Sequence, residues 1–205
     1  MKNGFKNARK KVACEAANLL YSGIEKEYKQ AKLKAAKTFG VNFLPTNLEV
    51  ALELDKMAEE KEGKARQERL IYMRKDALKL MKILKEYSPL LIGSVWRGTI
   101  DCESDIDIVV RHDDPGSIIN ILKQNSVKIA QAEWVSVTKK GKEKRSFHIL
   151  VECPAKEKAE IKVISPEEAN RKEKCEIYGD EITGLHIKEL EMLLRRNASQ
   201  RFVPF

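Results

Sequence analysis

Two short stretches of this 205-residue chain carry residue types that chemistry can use. The first is Gly93-Ser94, directly after the apolar run Leu90-Leu91-Ile92, with Gly98 four residues beyond the serine. A glycine lets backbone approach a ligand, a hydroxyl donates to a phosphate oxygen, and a turn that opens a helix aims free N–H groups at an anion. The second is Asp105-Ile106-Asp107-Ile108, at the head of a strand-like run from Ile106 to Val110. Side chains alternate along a strand, so Asp105 and Asp107 share one face. Two carboxylates that close repel each other, and a divalent cation is the expected counter-charge. Mg2+ suits the pair, because it is held by few carboxylates together with the phosphates of a bound nucleotide.

Taken in order, Gly93, Ser94, Gly98, Ser104, Asp105 and Asp107 resemble the signature of the nucleotidyltransferase superfamily. That superfamily includes DNA polymerase beta, CCA-adding enzymes, poly(A) polymerases and aminoglycoside nucleotidyltransferases; the likeness is to its small prokaryotic and archaeal members and covers residues 89–166. The resemblance implies an α+β fold, a nucleotidyltransferase-type mixed β-sheet flanked by helices and preceded here by an N-terminal helical region. It implies an enzyme that moves a nucleoside monophosphate from an NTP such as ATP to an acceptor hydroxyl, with Mg2+ or Mn2+ at a two-metal site. It assigns Asp105 and Asp107 as metal ligands and places Gly93, Ser94 and Ser104 at the nucleotide. It also implies a third carboxylate on a later strand, and two residues compete for that role. Glu160, in Ala-Glu-Ile-Lys-Val-Ile, is favoured because Ser165-Pro166-Glu167-Glu168 just after it reads as a helix start. Glu152 has purer apolar flanks, whereas Lys162 shares the face of Glu160.

Around this motif other residues invite a role. Arg97, inside the glycine turn, is placed to meet a triphosphate with two parallel hydrogen bonds. Trp96 beside it either stacks on a base or fills the core. His112-Asp113-Asp114-Pro115-Gly116 reads as an exposed turn, and the three histidines have no metal-ligand spacing. Cys14, Cys102, Cys153 and Cys175 are scattered without a Cys-x-x-Cys pair and are expected to be reduced thiols.

The elements that must position these residues fall into two regions, 1–88 and 89–205. In the first, Ala13, Ala17, Leu20 and Ile24 recur at helical spacing in a basic amphipathic helix that Gly40 ends. Thr46 and Glu49 form a capping box for a second helix with Gly63 at its exit, and Leu70, Met73, Ala77, Leu80, Met81 and Leu84 stripe a third. In the second region the motif strands precede a short helix bearing Ile118 and Leu122. Three β runs follow, Val127 to Thr138, Ser146 to Cys153 and Ala159 to Ile164, the first two joined by a charged tip at Lys139-Lys140-Gly141-Lys142 that could grip a nucleic-acid backbone. Thr183 is the expected cap of a last helix carrying Leu185, Leu190, Leu193 and Leu194.

The formal charge of +8 is concentrated. Residues 1–37 hold ten Lys and Arg against three Asp and Glu, and the rest is nearly neutral. Lys26, Lys29, Lys32, Lys34 and Lys37 either hold the phosphates of an RNA or form a solvated face. No run approaches the ~20 apolar residues needed to cross a membrane, and the lysine-dense start lacks the apolar stretch of a secretion signal, so a cytoplasmic protein is expected. Two other classes of function fit the same motif: an antitoxin-type or regulatory interaction protein of nucleotidyltransferase fold, and a nucleic-acid-binding module with a degenerate site.

Overall fold

The structure is a computed structural model that describes residues 2–139, 142–153, 157–169 and 173–204. The chain starts with helices α1 (Lys2–Tyr21) and α2 (Tyr28–Thr38), where the sequence predicts one basic helix. The break lies at Gly23, whose φ of +67° is in the left-handed region that glycine enters without steric penalty. The N–H groups of Gly23 and Glu25 bond back to the carbonyls of Leu20 and Leu19, closing the helix end and leaving Ile24 exposed.

Helix α3 (Asn47–Ile83) opens with the expected capping box. Thr46 Oγ1 accepts from the Glu49 N–H at 3.1 Å, and the Glu49 carboxylate accepts from the Thr46 N–H at 2.6 Å. Gly63, at φ +51°, interrupts α3 where the sequence reads the end of one helix. The interruption separates two apolar clusters. Before it, Val50, Leu54 and Met57 pack against Val12, Ala16 and Ala17 of α1 and Ala31 and Ala35 of α2. After it, Leu70, Met73, Ala77, Leu80 and Met81 face the sheet and belong to its core.

The sheet is mixed and has five strands in the order β1-β2-β5-β4-β3. Strand β1 (Leu90–Ile92) runs antiparallel to β2 (Ile106–Arg111), and β2 runs parallel to β5 (Lys158–Ile164). Strand β4 (Lys142–Glu152) is antiparallel to both β5 and β3 (Lys128–Lys139). The β3–β4 turn expected at Lys140-Gly141 lies outside the described residues. Alternation sorts the faces: Ile106, Ile108, Val110, Ile149, Val151, Ile161 and Val163 are buried against the helices, and Asp107, His148, Glu160 and Lys162 lie on the opposite face.

Four helices complete this part. The five-residue α4 (Gly93–Arg97) connects β1 towards β2, and α6 (Pro166–Ala169) follows β5. Helix α5 (Pro115–Gln124) is capped by Asp114, which accepts from the N–H groups of Gly116 and Ser117, and it buries Ile118 and Leu122. Helix α7 (Ile187–Arg196) starts later than the sequence predicts. Leu185 instead pairs its backbone with Leu91 at the edge of β1, and His186 precedes the first turn, donating its N–H to Glu189. The fold is therefore α+β, a helical N-terminal region followed by a mixed sheet flanked by helices. Among the described residues no helix is long and apolar enough to cross a membrane.

Candidate functional site

The two halves of the motif meet at one end of the β1–β2 pair. Ile92 stands opposite Asp107 in the ladder, so Gly93, the next residue, turns α4 away directly over the Asp107 carboxylate. Gly93 adopts φ +72°, and a Cβ built on it would lie 2.0 Å from Asp107 Oδ2. On the other side of β2, Asp107 stands in register with Glu160 of the parallel strand β5. Asp105, immediately before β2, completes an arc of three carboxylates.

The two aspartates are held against their charge. Burial raises the Asp107 carboxyl to about 7, and the neighbouring Glu160 and Asp105 push the same way against a small opposing effect of Lys162. Burial also raises Asp105, with Lys158 opposing it. Among the described residues neither aspartate is in an ion pair, and no three His, Cys, Asp or Glu side chains are gathered tightly enough to enclose a metal ion as they stand.

Gly93, Ser94, Ser104, Asp105 and Asp107 line a cleft of about 530 Å³ whose far wall comes from the helical region: Leu20, Glu25, Lys26, Tyr28, Ala51, Leu54 and Asp55. Ile177 and Tyr178 close a third side. The N-terminal helices thus stand across the cleft from the aspartates, a juxtaposition that periodicity alone could not reveal.

The remaining candidates have distinct settings. Ser94 is half-buried in the cleft wall, and its carbonyl accepts from the N–H groups of Gly98 and Thr99. Ser104 belongs to a closed turn, its Oγ accepting from the Asp101 N–H at 2.9 Å and donating to Asp101 Oδ1 at 3.1 Å. Arg97 differs most from expectation. Its buried guanidinium forks onto Asp180 at 2.7 and 3.1 Å, donates to the Phe202 carbonyl and lies between the rings of Trp96 and Tyr178, so the donors expected to meet a triphosphate are already engaged. Trp96 is core. Glu152 sits one strand further out, exposed and paired with Lys128 at 2.7 Å, whereas Glu160 adjoins Asp107 and accepts from His148 at 2.8 Å.

Sequence reasoning overlooked three arginines of α3 that hold the segment between the motif halves. Arg66 donates to the Ile100 carbonyl, Arg69 to those of Asp101 and Ser104, and Arg74 to those of Val95, Trp96 and Ala198. Arg69 also forks onto Glu157 at 2.8 and 2.9 Å, which ties the approach to β2 to the approach to β5. A signal did exist: Arg66 lies four residues before Leu70 and seven before Met73, on the apolar stripe itself, and a cation there needs buried acceptors. In comparison with known proteins, the chain matches no protein-family model and is similar to no curated protein sequence.

Proposed function

We propose that the chain has a nucleotidyltransferase fold and transfers a nucleoside monophosphate from an NTP to an acceptor hydroxyl. The observation that carries this reading is the pair Asp105 and Asp107 under Gly93-Ser94 in a cleft of nucleotide size, with Glu160 in register beside Asp107 and Asp107 raised to about 7 by burial and by its acidic neighbours. Neighbouring carboxylates are hard oxygen donors that fit Mg2+ or Mn2+, so Asp105, Asp107 and Glu160 are the residues that would hold it. When bound, the metal neutralises triphosphate charge and lowers the pKa of the attacking hydroxyl.

The chain's own groups do the rest. The Ser94 hydroxyl donates to a phosphate oxygen, and Gly93, free of a side chain, lets the phosphate approach the backbone of the turn. The acceptor oxygen attacks the α-phosphorus in line as the bond to pyrophosphate breaks; pyrophosphate leaves with the electron pair, and the hydroxyl proton passes to solvent. The far wall, from Leu20 to Asp55, shields the site and receives the acceptor. An RNA acceptor is supported by Lys26, which lines the cleft, and by the exposed Lys29, Lys34 and Lys37 beyond it. A cytoplasmic location is part of the same reading.

One observation favours a second reading, a regulatory or nucleic-acid-binding protein with a degenerate site: Arg97 and Ser104 are engaged by Asp180 and Asp101. Incubation with each α-labelled NTP, Mg2+ or Mn2+, and RNA, protein or small-molecule acceptors separates the two. Label transfer that Asp105→Ala with Asp107→Ala abolishes supports the enzyme. No transfer and no metal-dependent nucleotide binding leaves the second reading.

A further inference from the structure

We infer that His148 and Ser146 are positioning residues for Glu160, holding its carboxylate beside Asp107; the inference rests on the reading of Glu160 as a metal ligand. Strand register brings them together. Glu160 stands opposite Leu150 and His148 opposite Lys162, so His148 and Glu160 are diagonal neighbours on the same face of β4–β5. Ser146 lies two residues before His148 and shares that face.

The hydrogen bond to Glu160 has a fixed direction. His148 Nδ1 lies 2.8 Å from Glu160 Oε1, and His148 Nε2 lies 2.8 Å from Ser146 Oγ. A carboxylate only accepts, so Nδ1 carries the proton and donates to Glu160, while the Ser146 hydroxyl, able to donate or to accept, meets Nε2. Both ring nitrogens are satisfied, which fixes the orientation of the imidazole. Ser146 is only 8% exposed, which anchors the relay in the sheet.

The relay answers the difficulty that Lys162 poses. Lys162 is two residues from Glu160 on the same face and would draw an unrestrained glutamate into a surface ion pair. No such pair forms among the described residues; His148 holds Oε1, and Oε2 makes no hydrogen bond among them. Outer groups that fix a ligating carboxylate in this way typically change metal affinity by ~10–100-fold when removed.

Asparagine and glutamine distinguish this role from space filling, because the amide nitrogen of asparagine falls where Nδ1 stands and that of glutamine where Nε2 stands. Mn2+ alone is titrated into the full chain and free Mn2+ is followed by electron paramagnetic resonance, for wild type, Asp107→Asn, His148→Asn, His148→Gln and Ser146→Ala, with thermal melts to verify folding. The expected result is affinity within about threefold of wild type for His148→Asn and a loss of ~10-fold or more for His148→Gln, with Ser146→Ala between them. Equal affinities for His148→Asn and His148→Gln, in folded proteins that still bind Mn2+, overturn the inference alone. Wild-type binding no tighter than that of Asp107→Asn overturns the metal-site reading, and the inference with it.

Discussion

The Asp107 carboxylate fills the space that a side chain on Gly93 would need: a single methyl there would lie 2.0 Å from Asp107 Oδ2 and 2.9 Å from its Cγ. A strand end, a left-handed glycine and a carboxylate therefore form one unit, in which the turn that would hold phosphate also fixes where the carboxylate points. Gly93→Ala forces the aspartate to rotate away and also places an L-residue at φ +72°, which costs about 1–2 kcal/mol. The expected outcome is a lower urea midpoint together with loss of Mn2+ binding. In an Asp107→Ala background the same substitution should destabilise less, because only the backbone term remains.

Asp107 is a site where stability has been given up. Burial and two acidic neighbours oppose its charge, so removing the charge should stabilise the metal-free protein. Asp107→Asn is expected to raise Tm in EDTA at pH 8 by a few degrees, at about 2–4 °C per kcal/mol for a chain of this size. Mg2+ or Mn2+ should raise the Tm of wild type and leave that of the variant unchanged. Scanning calorimetry of both proteins, with and without metal, checks both signs.

The contrast between Glu152 and Glu160 marks where sequence reasoning stops. Both lie on the same face of the sheet, because Leu150 is opposite Glu160 and Glu152 is opposite Lys158. Period-two alternation reports the face of a residue but not its neighbouring strand. Strand order does that, and it arises from pairing between β2 and β5, which are about fifty residues apart. Arg97 shows the same limit for partners: its type and place in the turn were legible, but Asp180, 83 residues on, was not. Local chemistry fared better. The capping box at Thr46, the turn at Asp114 and the Gly93 turn depend on residues within a few positions of each other, and each is where the sequence predicts it.

Acid should loosen the helical region first at Glu49. Its hydrogen bonds from Arg9, at 2.6 and 2.9 Å, and from Thr46 hold its carboxyl down to about 2. A carboxyl lowered on folding adds stability that is present above its unfolded value near 4.5 and is lost as pH falls towards 2. Because Glu49 is partly exposed, screening limits the effect to about 0.5–1 kcal/mol. Glu49→Gln should therefore be less stable than wild type at pH 7 and equal to it near pH 2, as read by denaturant titrations at both.

The lysines from Lys26 to Lys37 can be tested apart from chemistry. Lys34 already pairs with Glu25 at 2.8 Å and Lys32 donates to Asn47 at 2.7 Å, while Lys29 and Lys37 extend into solvent. If these groups hold RNA, replacing Lys26, Lys29 and Lys37 by Gln lowers the dependence of log affinity on log salt by about 0.7 for each single-strand phosphate that is no longer neutralised. An unchanged slope in fluorescence anisotropy would make this a solvated face.

Arg74 provides the strongest test of how the turn is held in place. It is wholly buried, burial lowers its pKa to about 10, and among the described residues its guanidinium meets only carbonyls: Val95 at 3.0 Å, Trp96 at 2.8 Å and Ala198 at 2.7 Å. Two of those carbonyls are in α4 itself, so this one side chain joins α3, the motif turn and the C-terminal segment. Arg74→Met preserves much of the volume but leaves two buried acceptors and one partly buried acceptor without this donor, and the expected loss is about 2–4 kcal/mol. Arg74→Lys retains the charge; a compact ammonium cannot span two chain segments as a planar fork does, so it should recover only part of the loss. If the turn instead holds itself through Gly98 and Thr99, Arg74→Met would match wild type in its urea midpoint and in protection of the Gly98 and Thr99 amides from exchange.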